Sequence, residues 1–196
     1  MSDEAPRPPI PERPLLRGDR VWLRPLEARD MPAYVAGIND TEVGAFAGYR
    51  IPTTIADANA WLERHAAMSR SGEGFFFAVC ELGDDRFIGT VWFKDVNTLD
   101  KNAELAIYMD KDHIGSGWGT DAQRTLLAFG FGTLGLERIS LTVSATNARA
   151  IRSYEKVGFQ REGVMRSSFR VAGERQDTVL MAILRHEWEA ARQAEG

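Results

Sequence analysis

Three glycines at alternate positions, Gly115, Gly117 and Gly119, lie in the run Asp112-His-Ile-Gly-Ser-Gly-Trp-Gly-Thr-Asp-Ala122. The pattern changes period across them. Upstream, Ala103 to Met109 alternates as a strand does, with Leu105, Ile107 and Met109 on one face and Glu104, Ala106 and Tyr108 on the other. Downstream, Ala122, Leu126, Phe129 and Thr133 fall on one helical stripe. Glycines let a backbone turn sharply and come close to a ligand. The free N–H groups of the helix's first turn, aided by the helix dipole, then point at an anion. The same glycines also suit a plain strand-to-helix turn. Two known phosphate loops do not match. A P-loop ends in Gly-Lys-Ser/Thr, whereas Gly119 is followed by Thr120 and Asp121. The dinucleotide fingerprint needs G-x-x-G spacing in the first strand–helix unit of a domain, and this loop lies past the middle of the chain.

The chain has 196 residues, which suits one domain. Its 44% hydrophobic and 27% charged residues are those of a globular protein. A net charge of −4 argues against a nucleic-acid partner, which calls for a basic surface. The single cysteine, Cys80, permits no intrachain disulfide and fits a reducing, cytoplasmic setting. It sits in the apolar run Phe75 to Leu82 and reads as a buried structural thiol. No Cys/His cluster suggests a metal site. No run approaches the roughly 18 apolar residues of a membrane span.

Five of the eight prolines fall between Pro6 and Pro14, so residues 1–16 read as a flexible tail and 17–196 as the domain. Order begins with the strand Arg20 to Pro25. Asp30 is placed to cap a short helix ending at Ile38. A second helix is expected over Ile55 to Arg70, with Thr54 and Asp57 at capping-box spacing. Strands follow at Phe75 to Leu82, Phe87 to Asp95 and Ala103 to Met109. After the glycine loop and its helix come a strand at Arg138 to Ala145, a helix at Asn147 to Val157 and strands at Phe159 to Val171 and Gln176 to Leu184. The last two are joined at Ala172-Gly173-Glu174, and a short polar helix closes the chain. This order predicts one α/β domain with a mixed sheet of about six to seven strands, flanked by helices on both faces.

A second informative stretch is Asn147-Ala-Arg-Ala150-Ile151-Arg-Ser-Tyr154-Glu-Lys156-Val-Gly158-Phe159. Together with the glycine loop about 30 residues upstream, it resembles the Gcn5-related N-acetyltransferase (GNAT) superfamily. That superfamily's motifs run Arg/Gln-x-x-Gly-x-Gly/Ala and Asn-x-x-Ala-x-x-x-Tyr-x-x-x-Gly-Phe. The resemblance covers about residues 19 to 186. It is greatest to ribosomal-protein N-terminal acetyltransferases and spermidine acetyltransferases, through Leu23-Arg24-Pro25-Leu26, Gly89 and the Gly173-Glu174-Arg175-Gln176-Asp177 hairpin. Ile114 departs from the pattern where many members carry Arg or Gln. Tyr154 is present where several ribosomal-protein acetyltransferases lack it, which tilts the reading toward small-molecule amines.

The resemblance implies acetyl-CoA as cosubstrate and direct transfer of its acetyl group to a primary amine in a ternary complex. The acceptor would be a protein N-terminus, a polyamine or an aminoglycoside-like molecule, and the enzyme a monomer or homodimer. Ile114, Gly115, Ser116, Gly117, Trp118, Gly119 and Thr120 would cradle the carrier's pyrophosphate. Backbone amides at Ile107, Tyr108 and Met109 would stabilise charge on the acetyl oxygen. Asn147 and Ala150 would contact the carrier, Asn147 also serving as helix N-cap. Tyr154 would be the general acid. Glu104 is the candidate base, with a solvent-facing or substrate-binding role as its alternative. Trp92, Phe93 and Trp118 read as core rather than a substrate cage, and His65 and His113 receive no role. The competing class is a non-catalytic acyl-CoA-binding module.

Overall fold

Apolar side chains alternate along the central strands, so both faces of the sheet need cover. The computed structural model describes residues 15–41, 43–44, 52–171 and 173–195. In chain order the elements are β1 (Leu16–Arg17), β2 (Val21–Pro25), α1 (Met31–Ile38), α2 (Ile55–Ser71), β3 (Phe75–Glu81), β4 (Phe87–Asn97), β5 (Asn102–Met109), α3 (Trp118–Gly132), β6 (Arg138–Ser144), α4 (Ala148–Lys156), β7 (Gln160–Val171), β8 (Glu174–Leu184) and α5 (Arg185–Glu195). They form one eight-stranded sheet in the order β1-β2-β3-β4-β5-β6-β8-β7. Every pairing is antiparallel except β5 with β6. The mixed α/β architecture is the expected one, with one strand more than the upper count. The addition is the two-residue β1, which brings order into the end of the stretch assigned to the tail. Residues 1–14 and Ala172 of the last turn lie outside the described residues.

One face of the sheet carries Leu105, Ile107 and Met109 of β5 and packs on Ala122, Leu126, Leu127 and Phe131 of α3 and on Ile151 and Tyr154 of α4. Trp188 of α5 joins this layer, 5.2 Å from Phe131 between ring centroids. The other face carries Tyr108 and Trp92, covered by Met31, Tyr34 and Ile38 of α1 and Ala58, Trp61 and Leu62 of α2. The expected capping box closes the start of α2: Thr54 Oγ1 accepts the Asp57 N–H at 3.1 Å and the Asp57 carboxylate accepts the Thr54 N–H at 3.0 Å.

Asp30 stands at the N-cap of α1 but makes no side-chain cap bond there. Its carboxylate is engaged by the buried Arg24, which donates to both its oxygens at 2.8 and 2.7 Å and gives its Nε to Asp85 at 2.7 Å. Arg29 completes the cluster on Asp85 at 2.6 Å. The Arg24 of the Leu-Arg-Pro-Leu run is therefore an internal tie between β2, the α1 entry and the β3–β4 turn. Cys80 lies buried beside it, its thiol pushed up to about 12 by burial. That thiol is passive, as expected.

The feature that creates a site is the parting of β5 from β6. Their pairing covers only Asn102↔Arg138, Ala103↔Ile139 and Glu104↔Ser140. Beyond Glu104, β5 stays with β4 as far as Gly89↔Met109, while β6 follows β8 to Ser144↔Thr178. Gly89 lets β4 and β5 stay this close, since a Cβ there would lie 2.3 Å from the Tyr108 carbonyl oxygen. Gly89→Ala should thus force the two strands apart beside the gap and lower stability by about 1–3 kcal/mol, as overpacking does. Urea unfolding should show a lower midpoint with an unchanged slope. A wild-type midpoint would mean that the strands separate there freely.

Candidate active site

After β5, a 3-10 turn at Lys111–His113 leads into the glycine loop. Gly115 and Gly117 have φ of 88° and 93°, a region other residues rarely enter, and Gly117 is the N-cap of α3. The Asp121 N–H closes the first helical turn on the Gly117 carbonyl at 3.0 Å. The N–H groups of Trp118, Gly119 and Thr120 therefore have no acceptor within the helix. Gly119 faces β5, where a Cβ would meet Met109 Cγ at 3.4 Å and Ile107 Cδ1 at 3.7 Å, ordinary contact distances. The Ile114 N–H is already spent on the Lys111 carbonyl at 3.3 Å, so it is no free donor.

The far side of the loop is held by residues that the sequence did not single out. The Arg20 guanidinium donates to the Ser116 carbonyl and stacks over Trp118, 4.3 Å from its ring centroid. Asp121, buried in the first turn of α3, accepts the N–H groups of Asp19, Arg20 and Val21 at 3.1, 2.8 and 3.0 Å. Trp118 is thus turned toward the protein, packed against its core, while Ser116 stays exposed with only its carbonyl held. Among the described residues the cavity wall includes Ile114, Gly115, Gly117, Gly119 and Thr120 but neither of those two.

That cavity, about 860 Å³, occupies the gap between β5 and β6, a size in the range of small-molecule sites. Strand parity decides which amides face it. The Asp110 N–H bonds the Ile88 carbonyl at 2.9 Å, next to the Gly89↔Met109 pair. In an antiparallel ladder hydrogen-bonded and non-bonded pairs alternate. The Tyr108 N–H hence points to β4, and those of Ile107 and Met109 point into the gap. Of the three expected amides, only these two are presented, while the Tyr108 ring packs with α1 and α2.

Tyr154, Asn147 and Ala150 line the same cavity from α4. Tyr154 is 7% exposed and packs edge-on against Phe159, 5.8 Å between centroids. Burial pushes its hydroxyl up to about 12. The side chain therefore keeps its proton throughout the neutral range, as a donor must. Asn147 Oδ1 accepts the Ala150 N–H at 3.1 Å. The cap uses the oxygen and leaves the amide NH2 as a donor. Glu104, in the last β5–β6 pair, lies on the Tyr108 face, across the gap from α4. Its Oε1 sits 3.1 Å from Lys94 Nζ and accepts the Thr142 hydroxyl at 3.2 Å. His113 also lines the cavity, as do Trp92 and the basic Arg149, Arg152 and Lys156 of α4. Phe93 is core, fully buried.

A family model described as the acetyltransferase (GNAT) domain matches residues 20–160. The chain belongs to the GNAT acetyltransferase family. Enzymes of this family draw their acetyl group from acetyl-CoA, and this one is an acetyl-CoA-dependent N-acetyltransferase. It is 27% identical over 177 residues to the spermidine N(1)-acetyltransferase of Escherichia coli, covering 90% of this chain and 92% of that one. It is 27% identical over 172 residues to the uncharacterized N-acetyltransferase YoaA of Bacillus subtilis, covering 88% and 97%. Among solved structures it shares the fold of the Vibrio cholerae spermidine N-acetyltransferase in complex with CoA and spermine, with a TM-score of 0.78, 24% identity and coverage of 86% and 98%. The Mycobacterium smegmatis RimJ complex with CoA-disulfide gives a TM-score of 0.74 at 22% identity, covering 88% and 89%. Among the described residues no helix is long and apolar enough to cross a membrane.

This GNAT enzyme's loop depends on one carboxylate. Asp121→Asn replaces one acceptor oxygen by a donor, so part of its three-N–H cluster loses its partner. Stability should fall by about 1–3 kcal/mol, the cost of unsatisfied buried groups. Hydrogen exchange should speed up selectively at the amides of Asp19, Arg20 and Val21. Unchanged protection there would remove Asp121 as the anchor.

Proposed function

We propose that this GNAT enzyme acetylates a primary amine directly in a ternary complex, with Tyr154 as acid and Glu104 as the group that receives the amine proton. One observation carries the reading: these two side chains flank a single strand gap from opposite faces, and the Ile107 and Met109 amides point into it. The Gly115–Thr120 amides suit the carrier's pyrophosphate, and the basic Arg149, Arg152 and Lys156 suit its phosphates.

Attack of the amine nitrogen forms the new C–N bond as the C–S bond breaks. The Ile107 and Met109 N–H groups stabilise the charge that grows on the acetyl oxygen. Tyr154 supplies the proton that the sulfur needs, and Glu104, directly or through water, takes the one that the nitrogen loses. No oxidant and no covalent enzyme adduct is involved, which matches the inert Cys80.

The acceptor side favours one cationic amine beside an apolar group, as in a peptide N-terminus or a small apolar amine, over a polyamine. Among the described wall residues Glu104 is the single carboxylate, and Lys94 already neutralises it. Val43, Trp92, Met165 and Phe169 supply apolar surface. The relatives named as spermidine acetyltransferases support the polyamine alternative. Wild-type kcat/KM should therefore be higher on short peptides or monoamines than on spermidine.

Tyr154→Phe keeps the ring and its packing. Turnover should drop about tenfold to a thousandfold while Kd for acetyl-CoA holds, because the lost interaction belongs to the transition state. A thioester with a better leaving thiol should recover part of the loss. Wild-type turnover with rate-limiting chemistry would exclude Tyr154 as the acid. Glu104→Gln should lower kcat about 10²-fold, whereas a rise in KM alone would reduce Glu104 to a substrate contact.

A further inference from the structure

Beneath the glycine loop, a chain of polar side chains links α3 to α4. Gln123 Nε2 donates to Ser153 Oγ at 3.2 Å, and Ser153 Oγ lies 3.1 Å from Thr120 Oγ1. All three residues line the cavity wall. Gln123 is 2% exposed, and among the described residues its buried Oε1 has no hydrogen-bond partner. An amide oxygen left unpaired in the interior destabilises the fold, and an apolar side chain of the same length would avoid that. Retention of Gln123 therefore asks for a role outside folding.

The direction of the chain supplies one. Ser153 accepts a hydrogen bond from Gln123, which makes its own hydroxyl a stronger donor. Its neighbour across the helix interface is the Thr120 hydroxyl. Once Thr120 accepts from Ser153, its own proton is free to turn outward. Thr120 is the third residue of α3, among the N–H groups that the helix leaves unpaired. We propose that Gln123 and Ser153 are positioning residues that orient the Thr120 hydroxyl as a donor to the pyrophosphate of the carrier. The inference rests on the reading of Gly115–Thr120 as the pyrophosphate cradle.

The test is the ratio of two dissociation constants, for CoA and for pantetheine, which lacks the pyrophosphate. Calorimetry and competition measure both without an amine acceptor. The wild type should prefer CoA strongly. In Gln123→Met that preference should shrink by about threefold to tenfold, the worth of one hydrogen bond, while melting temperature holds or rises because the unpaired oxygen is gone. Ser153→Ala should shrink it similarly. In a Thr120→Val background, Gln123→Met should have no further effect, whereas Thr120→Ser, which keeps the hydroxyl, should stay sensitive. An unchanged preference in Gln123→Met overturns the proposal. So does a full effect in the Thr120→Val background, or a drop in melting temperature with equal weakening of both ligands, which marks a structural role. A wild type that binds CoA and pantetheine alike would instead remove the cradle, and the proposal with it.

Discussion

The buried carboxylate of Asp121 fixes where the rest of the site can be. It gathers three consecutive backbone N–H groups from the start of β2, about a hundred residues earlier in the chain. Charge-assisted bonds of this kind are stronger than neutral ones, and an acid in a helix's first turn also gains from the dipole. The turn entering β2 has to come very close. A Cβ on Gly18 would fall 2.5 Å from Asp121 Oδ2 and 2.6 Å from Thr125 Oγ1. With its backbone pinned, Arg20 can lay its guanidinium over Trp118 and bond the Ser116 carbonyl. The loop is thereby gripped from its carbonyl side, which leaves its amides facing the cavity.

The second constraint is the sheet's own hydrogen bonding. A central strand that loses its neighbour exposes N–H and C=O groups that folding would otherwise pair. Here β5 keeps its full ladder with β4 and gives up β6 beyond Glu104. The orphaned groups fall on alternate residues of β5 and share a cavity with the first turn of α3 and one face of α4. On the proposed reading, a site for an extended, amide-bearing carrier is built by withholding pairing from part of one strand. The acidic Glu104 at the branch point is held by Lys94, its cross-strand partner in the ladder, so its position is set by the same register.

Local pattern determined what the sequence could reveal. Period-two runs located the long strands, and the Thr54–Asp57 box marked the start of α2 to the residue. Alternate glycines and the Asn147–Phe159 motif brought the loop and Tyr154 to one cavity. A two-residue strand such as β1 has no period to detect. Asp30 has the chemistry of a cap, but Arg24 competes for its carboxylate from another element, and no sequence spacing shows that. The same holds for Asp121 and for the Lys94–Glu104 pair, whose partners meet only once the sheet exists. Trp118 belongs to the motif, but the stacked Arg20 guanidinium and the core hold it away from the cavity. The basic stripe of α4 was missed, although 149, 152 and 156 have the i, i+3, i+7 spacing of one helix face and that spacing was the signal that could have found it.

Tyr154 sets a condition on how the proton can move. Burial pushes its hydroxyl up to about 12, which makes it a firm hydrogen-bond donor and a weak acid. Its hydrogen bond can still stabilise the sulfur as charge builds during C–S cleavage, in a pocket where burial strengthens that bond. The attacking nitrogen, made acidic by forming its bond to carbon, releases its own proton on the other face. In the proposed mechanism the two proton movements thus fall one on each face of the β5–β6 gap. The opposite-face placement of Tyr154 and Glu104 suits that separation, since neither proton then has to cross the path of the other.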